Sequence, residues 1–307
     1  MDPMRFSVVV PTYQRPRQLA ACLEALAALD YPLDRYEVIV VDDGSSQPPE
    51  DVVRGFRHRL DVSLLSRPHG GPALARNSGA AQARGDWLAF TDDDCAPARD
   101  WLRLLAARLT QAPDCAVGGR VVNSLSANPY STASQLVVSW LYAYYNADPE
   151  RARFLTSNNF AMAVQRFRAV GGFDETYPNA AAEDREICDR LLQRGQRIIY
   201  APEAVVHHAH PLTFAGFCRQ HFHYGRGAFC FRRVRSRRCA EPVRLEPLSF
   251  YTGLLRHPFA QASGGFALSL AALAFLSQAV HTAGFAWEAL HADRKVASRP
   301  SQEASHG

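Results

Sequence analysis

The chain opens on a compact Val-rich run, Phe6 to Val10, halted by Pro11. A run with so little polar alternation predicts a strand covered on both faces, as in a parallel sheet. Leu19, Cys22, Leu23 and Leu26 then recur at helical spacing. Tyr36 to Val41 predicts a second buried strand, ending at Asp42-Asp43-Gly44-Ser45, and Ser63 to Leu65 a short third. Gly70-Gly71-Pro72 opens a small-residue helix that runs to about Ala83, with Pro72 at a favoured first-turn position. Asp86 to Thr91 predicts another strand, with Asp92 at its carboxyl end, and Trp101 to Leu109 a helix. Strand and helix alternating at this spacing predict an α/β fold, a single doubly wound, mostly parallel sheet flanked by helices. Ligands of such sheets bind beyond the carboxyl ends of the strands. That rule singles out two acidic clusters, Asp42-Asp43 and Asp92-Asp93-Asp94.

The second half is less regular. Ser157 to Met162 predicts a strand, and Gly171-Gly172-Phe173-Asp174 a turn. Glu183-Asp184 starts a helix with apolar positions Ile187, Cys188, Leu191 and Leu192, stopped at Gly195. Ile198 to Tyr200 and Ala204 to His207 read as two short strands around Pro202, and Thr213 to about Phe231 as an aromatic-rich helix. Two stretches, around 123–156 and 211–240, read as loops and carry no readable signature. No Asp, Glu, Lys or Arg occurs from His257 to Trp287, and residues 264–286 hold an apolar segment of spanning length. Such a segment can cross a membrane, lie on it or pack on the domain. This organisation predicts a catalytic unit over 1–240 and a helical extension over 241–307 that ends in a polar tail.

Composition narrows the partners. Of 307 residues, 47% are hydrophobic and 21% charged, which suits a globular protein with a real core. The net charge of +4 is mild, and no basic stripe with interleaved aromatics is present, so nucleic acid is not an expected partner. Local charge says more: Arg232, Arg233, Arg235, Arg237 and Arg238 lie upstream of the apolar segment, a pairing that suits an anionic membrane surface. The seven Cys include no C-x-x-C pair and read as reduced thiols. The start moves into a strand within a few residues, so no secretory signal is expected. The expected location is cytoplasmic, peripheral to or singly spanning the cell membrane at its cytoplasmic face.

Three adjacent carboxylates repel one another unless a cation or donors compensate. Asp92-Asp93-Asp94 directly follows Trp87-Leu88-Ala89-Phe90, and a hard ion such as Mn²⁺ or Mg²⁺ takes oxygen from one or two carboxylates plus phosphate. In an extended segment Asp92 and Asp94 would share a side and Asp93 would turn away. A carboxylate at Asp42-Asp43 could accept from a base N–H or a ribose hydroxyl, with Thr12 and Tyr13 in the same pocket. Pro11-Thr12-Tyr13-Gln14 lacks the G-x-G-x-x-G of a dinucleotide oxidoreductase. Arg76 could reach a phosphate. Glu183-Asp184 can supply a general base, and His207-His208 a neutral imidazole for a metal.

Together these residues resemble family 2 glycosyltransferases with the GT-A fold. The likeness is carried by Ser7-Val-Val-Val-Pro-Thr-Tyr-Gln-Arg-Pro, Val40-Val-Asp-Asp-Gly-Ser-Ser, Gly70-Gly-Pro-Ala-Leu-Ala-Arg-Asn-Ser-Gly and Gly85-Asp-Trp-Leu-Ala-Phe-Thr-Asp-Asp-Asp. It continues through Asn158-Asn-Phe-Ala-Met, Val170-Gly-Gly-Phe-Asp-Glu and Ala182-Glu-Asp-Arg-Glu-Ile-Cys-Asp-Arg-Leu, covering about residues 5–210. The resemblance implies transfer of a sugar from a nucleotide-diphosphate donor, most commonly a UDP-sugar, to a glycan or lipid-linked acceptor, with inversion. It implies nucleotide-sugar contacts at Pro11, Thr12, Tyr13, Arg15, Asp42, Asp43, Arg76, Asp92 and Asp93. Metal contacts fall on Asp92, Asp94 and His208, and the base on Asp184. Glu183, Asn158, Asn159 and His207 fall on the acceptor side. Processive relatives carry Gln-x-x-Arg-Trp; here Gln220 is followed by His-Phe-His-Tyr, which implies transfer of a single sugar. Two rival readings are a nucleotide-dependent phosphoryl or nucleotidyl transferase and a membrane-attached binding module without activity. The first lacks a Lys or Gly-rich phosphate loop. The second would have lost a key carboxylate, yet Asp92, Asp94 and Asp184 are all present.

Overall fold

The computed structural model describes residues 4–177, 181–239 and 246–297, with side chains to residue 291. The polar tail read from the sequence falls mostly on residues 298–307, outside the described residues.

The first half builds as its pattern predicts. Strands β1 (Phe6–Thr12), β2 (Tyr36–Asp42), β3 (Val62–Ser66) and β4 (Trp87–Phe90) are parallel, in the order 3-2-1-4. Helices α1 (Pro16–Ala27), α2 (Glu50–Phe56) and α3 (Pro72–Ala81) connect them. All seven positions of β1 and of β2 are buried, because helices cover both sheet faces. Val8, Val10, Val38 and Val40 pack on one face with Leu19, Leu23 and Trp101. Val9, Ile39 and Val41 pack on the other with Phe90, Phe160 and Phe173. The ring of Phe90 meets Phe173 edge-on, with centroids 5.3 Å apart.

After β4 come β5 (Cys95–Pro97), α4 (Trp101–Gln111), β6 (Ala116–Asn123) and α5 (Pro129–Tyr145). Next are β7 (Phe160–Ala163), α6 (Val164–Val170), α7 (Glu183–Gln193) and β8 (Ile198–His208). The full sheet runs β3-β2-β1-β4-β7-β6-β8-β5, with antiparallel pairing where β7 meets β4 and β6 and where β5 meets β8. The sheet is therefore mostly parallel, as expected, but mixed at one end.

Three expectations change here. Ile198–Tyr200 and Ala204–His207 belong to one strand, β8. Its register against β6 jumps from Gly119↔Ala201 to Arg120↔Val205. Pro202 sits in that irregularity, where a missing N–H costs no ladder bond. Ser157–Asn159 forms a 3₁₀ turn, and the strand begins only at Phe160. Residues 123–156, read as a loop, hold the 17-residue α5. Asn128 caps it, its side chain accepting from the N–H groups of Tyr130 and Ser131 at 3.0 Å each, with Pro129 next in line.

Helices α8 (Phe214–Cys239), α9 (Leu248–Gln261) and α10 (Gly264–Ala297) complete the chain. The apolar α10 packs along α8 and also touches α5 and α9. The approach to α8 is backbone-close: a Cβ at Gly284 would lie 2.0 Å from the Phe222 carbonyl oxygen. Glu288 of α10 receives the Arg226 Nε–H of α8 at 2.7 Å.

Candidate active site

The carboxyl ends of β1, β2 and β4 meet at one edge. Register fixes part of the arrangement, since Thr12 of β1 lies opposite Asp42 of β2. The acidic cluster after β4 turns at once, with the Cys95 N–H donating to the Asp92 carbonyl at 3.0 Å. Extended-strand alternation therefore does not pair Asp92 with Asp94. The three carboxylates take different partner sets instead, with Arg15 shared by Asp93 and Asp94.

Asp94 is brought to the histidines by pairing of β5 with β8, which sets Cys95 opposite His208. Its Oδ1 lies 3.2 Å from His208 Nε2, and its Oδ2 lies 3.1 Å from His210 Nδ1 and 3.0 Å from Arg15. Burial would raise this carboxyl, but the bonds to His208 and His210 and the nearby Arg15 charge hold it well below the usual range. Asp93 accepts from Thr12 Oγ1 at 2.7 Å and from Arg15 at 3.2 Å. Burial nonetheless pushes it up to about 6. Asp92 accepts from Arg76 at 2.6 Å.

Arg76 links the two acidic motifs. It is buried, reaches Glu183 at 3.2 Å as well as Asp92, and lies over the Phe173 ring. Its Nε and the second oxygen of Glu183 have no hydrogen-bond partner. Glu183 and Asp184 occupy the first turn of α7, just after Ala182 at φ 74°. A left-handed alanine is strained by roughly 1 kcal/mol or more, and such strain gathers at functional sites. Asp184 Oδ1 accepts from the Arg185 N–H at 2.7 Å. Burial, then the Glu183 charge, push Asp184 up to about 7. Those causes outweigh the helix N-terminus, which would pull it down.

A cavity of about 710 Å³ unites these groups. Pro11, Thr12, Tyr13, Arg15, Asp43, Arg76, all three aspartates, Asn158, Glu183, Asp184 and His208 line it. Tyr13 stacks on His69 with ring centroids 4.4 Å apart, both on the cavity wall. Asp43 holds the loop before α3, taking the N–H groups of Gly70 and Gly71 at 3.0 and 2.8 Å. Three candidates are not brought to the cavity. Asp42 is buried and accepts from the Ser45 N–H at 3.2 Å. Asn159 is fully buried with its amide consumed. It accepts from Trp101 Nε1 at 2.9 Å and donates to the Ala204 carbonyl at 2.9 Å, which ties the turn before β7 to α4 and β8. His207 points to the opposite side of β8 from His208 and is exposed. Neither Asn159 nor His207 lines the cavity.

For a divalent ion, the donor atoms of Asp94, Cys95 and His208 lie within 4.8 Å of one another. Burial raises the Cys95 thiol well above its ordinary value, which leaves it a poor ligand. The carboxylate and imidazole, with Asp92 also lining the cavity, fit Mn²⁺, and the carboxylates alone fit Mg²⁺.

Residues 7–171 match the sequence profile of Glycosyl transferase family 2. The chain belongs to this family. Pre-mycofactocin glycosyltransferase of Mycobacterium tuberculosis is 32% identical over 227 residues, which span 72% of this chain and 46% of that protein. Validoxylamine A glucosyltransferase of Streptomyces hygroscopicus is 30% identical over 217 residues, 62% of this chain and 51% of that one. The chain thus spans about half the length of these curated relatives. Among solved structures, the mannosyltransferase PcManGT of Pyrobaculum calidifontis, in complex with GDP-Man and Mn²⁺, aligns with a TM-score of 0.61 at 22% identity, covering 94% of this chain and 84% of that one. TarS 1-349 of S. aureus with UDP-GlcNAc aligns at 0.55 and 16%, covering 95% and 92%. At such identities the likeness establishes the GT-A fold. All but one of the family 2 motifs read from the sequence contribute residues to this cavity; Val170-Gly-Gly-Phe-Asp-Glu does not, and its Phe173 packs against Arg76 instead. The sequence reading missed His210, whose alternate spacing after His208 at a strand end was its one signal. It also missed Gln220, His221 and Tyr224 of α8, which line the cavity and carried no signal.

Proposed function

We propose that this family 2 protein is an inverting glycosyltransferase that moves one sugar from a UDP-sugar to an acceptor hydroxyl. The carrying observation is a pair of carboxyl groups in one cavity whose surroundings push them in opposite directions. Asp94 is held ionised by His208, His210 and Arg15, whereas Asp184 is raised to about 7. Such divergence assigns separate roles: one group holds charge, the other moves a proton.

In this reading Asp184 accepts the proton of the acceptor hydroxyl as its oxygen bonds to the anomeric carbon. The bond from that carbon to the donor diphosphate breaks on the opposite face, which inverts the centre. Asp94, Asp92 and His208 would hold Mn²⁺ or Mg²⁺, which supplies positive charge against the departing diphosphate. Arg15 and Arg76 add fixed positive charge, the Tyr13–His69 stack offers the base a flat apolar surface, and Glu183 and Asn158 face the acceptor hydroxyl. TarS bound to UDP-GlcNAc supports the choice of UDP. The missing Gln-x-x-Arg-Trp supports a single transfer, to a glycan or lipid-linked acceptor.

We also place the protein peripherally on the cytoplasmic face of the cell membrane. Gly264–His291 is long and apolar enough to cross a bilayer, and Leu268, Phe275 and Leu290 are exposed along it. Its backbone contact with α8 and the Arg226–Glu288 pair favour lying on the membrane over spanning it.

Calorimetric titration of UDP with and without Mn²⁺ tests the central reading. Metal-dependent binding is expected, and its absence would reject the proposal.

A further inference from the structure

The cavity does not end at the acidic motifs. It continues between α5, α8 and the C-terminal helices α9 and α10. Its place relative to Asp184 limits what this end can hold. Residues two apart on a helix project about 200° from one another around the axis, so Glu183 and Arg185 leave α7 on opposite sides, with Asp184 between them. Glu183 is bridged through Arg76 to Asp92, on the side of the metal and diphosphate. Arg185 turns the other way, 2.8 Å from Tyr145 Oη of α5 and 3.3 Å from Glu246. The α5–α10 end thus lies past the base from the diphosphate. An inverting transfer needs its attacking hydroxyl on that side.

The charges at this end are matched within the protein. Among the described residues that line it, the carboxyl groups are Glu183, Asp184 and Glu246, and the guanidinium groups are Arg76, Arg185 and Arg232. Glu183 pairs with Arg76 at 3.2 Å, and Glu246 pairs with Arg185 and accepts from Tyr145 at 2.6 Å. Arg185 also lies over the Tyr145 and Phe231 rings, 5.2 and 4.9 Å from their centroids. Arg232 is engaged as well. Burial draws His221 down to about 3 and, with Arg232 and Arg185 nearby, His281 down to about 4, so both imidazoles stay neutral. A charged ligand buried here would find no unmatched partner, and an unpaired buried charge is costly.

The uncharged polar groups are largely tied down too. Gln220 donates to Tyr224 Oη at 2.6 Å, Gln278 to Ser277 Oγ at 3.1 Å, and Thr282 Oγ1 to the Gln278 carbonyl at 2.8 Å. What stays open is apolar. Val138 and Leu141 of α5, Tyr251 of α9 and Phe285 of α10 line this end and are only half-buried. Phe285 is fixed edge-on against Phe229 of α8, with ring centroids 5.3 Å apart. Apolar surface left open inside a fold favours a ligand that covers it.

We propose that the α5–α10 end of the cavity is the acceptor subsite and takes an uncharged acceptor with an apolar body beside its reacting hydroxyl. The hydroxyl reaches Asp184, and the apolar body lies against Val138, Leu141, Tyr251 and Phe285. The C-terminal helices are then part of the active site. This inference rests on the transferase reading above.

The test titrates para-butylphenol, its anionic counterpart para-hydroxyphenylpropanoate and the neutral sugar methyl glucoside into the full chain preloaded with UDP and Mn²⁺. Butylphenol is expected to bind roughly tenfold more tightly than either of the others. Phe285→Ser should weaken it about fivefold, the scale of a lost aromatic contact, with UDP affinity unchanged. If the anion binds as well as butylphenol, the uncharged acceptor is refuted. If methyl glucoside binds as well, the apolar body is refuted and a free sugar is the acceptor. Absence of butylphenol binding, or equal binding in Phe285→Ser, overturns the proposal outright. Should Phe285→Ser fail to fold by circular dichroism, Thr282→Trp, at an exposed lining position, must block butylphenol and spare UDP. Unaffected butylphenol binding in that variant also overturns the proposal. Loss of UDP binding by the native chain would instead reject the transferase reading itself.

Discussion

Asp184→Asn isolates the proton-accepting step. The asparagine keeps the size and the hydrogen bond from the Arg185 N–H but cannot accept a proton. Positioned bases contribute roughly 10²–10⁴-fold, so turnover should fall at least ~100-fold while UDP affinity holds. The native pH profile carries the structural number. With Asp184 raised to about 7, about a tenth is ionised at pH 6 and about a hundredth at pH 5, so kcat/KM should fall tenfold per unit below neutrality. A carboxylate near its ordinary value of about 4 would keep nearly full rate at pH 5. Stability offers a second readout with a definite sign. A carboxyl raised in the folded state favours folding below its unfolded value and loses that contribution as pH rises through the folded value. Native protein therefore bears the cost of an ionised Asp184 above about pH 7, and the asparagine variant escapes it. The variant should be more stable than native at pH 8, by on the order of 4 kcal/mol, and the gap should close as pH falls toward 4. Radiometric or released-UDP assays across pH 5–9, with scanning calorimetry at both ends, measure all of this. Retained turnover in the variant, or a rate that is flat from pH 8 to pH 5, refutes Asp184 as the base.

Other expectations can be checked alongside. Asp94→Ala removes the carboxylate shared by His208, His210 and Arg15 and should abolish the Mn²⁺ dependence of UDP binding in calorimetry; an unaltered metal effect removes Asp94 from the site. Asn159→Ala leaves the Trp101 N–H and the Ala204 carbonyl unpaired and should destabilise the protein by about 2–4 kcal/mol in urea titration; a change below ~0.5 kcal/mol denies it the structural role. Leu268→Gln with Phe275→Gln, both exposed on α10, should weaken co-sedimentation with anionic vesicles and leave soluble-donor hydrolysis intact; equal sedimentation argues against membrane contact through this face.

What was legible in the sequence follows from how each part is buried. The parallel strands β1, β2 and β4 are covered on both faces, so they appear as unbroken apolar runs, and the acids at their ends could be named from the chain alone. The Glu183-Asp184 pair was likewise readable as the start of a helix. The sequence did not reveal β6, because Gly118 and Gly119 interrupt its pattern. A Cβ at Gly119 would lie 1.7 Å from the Ala204 carbonyl oxygen, so the glycine answers to a neighbouring strand and not to local propensity. Asn159 belongs to a quoted motif, yet its amide is consumed in the core, a fact that depends on Trp101, 58 residues away. The acidic triplet itself was identified from sequence, but its division of labour was not. Arg76 arrives from α3 to hold Asp92, Arg15 bridges Asp93 and Asp94, and the two histidines at and just beyond the end of β8 both meet Asp94. The same holds for α10: by composition it could span, lie flat or pack, and its contact with α8 and its share of the cavity wall are visible only in the tertiary structure, because an apolar helix records that it must be covered and not by what.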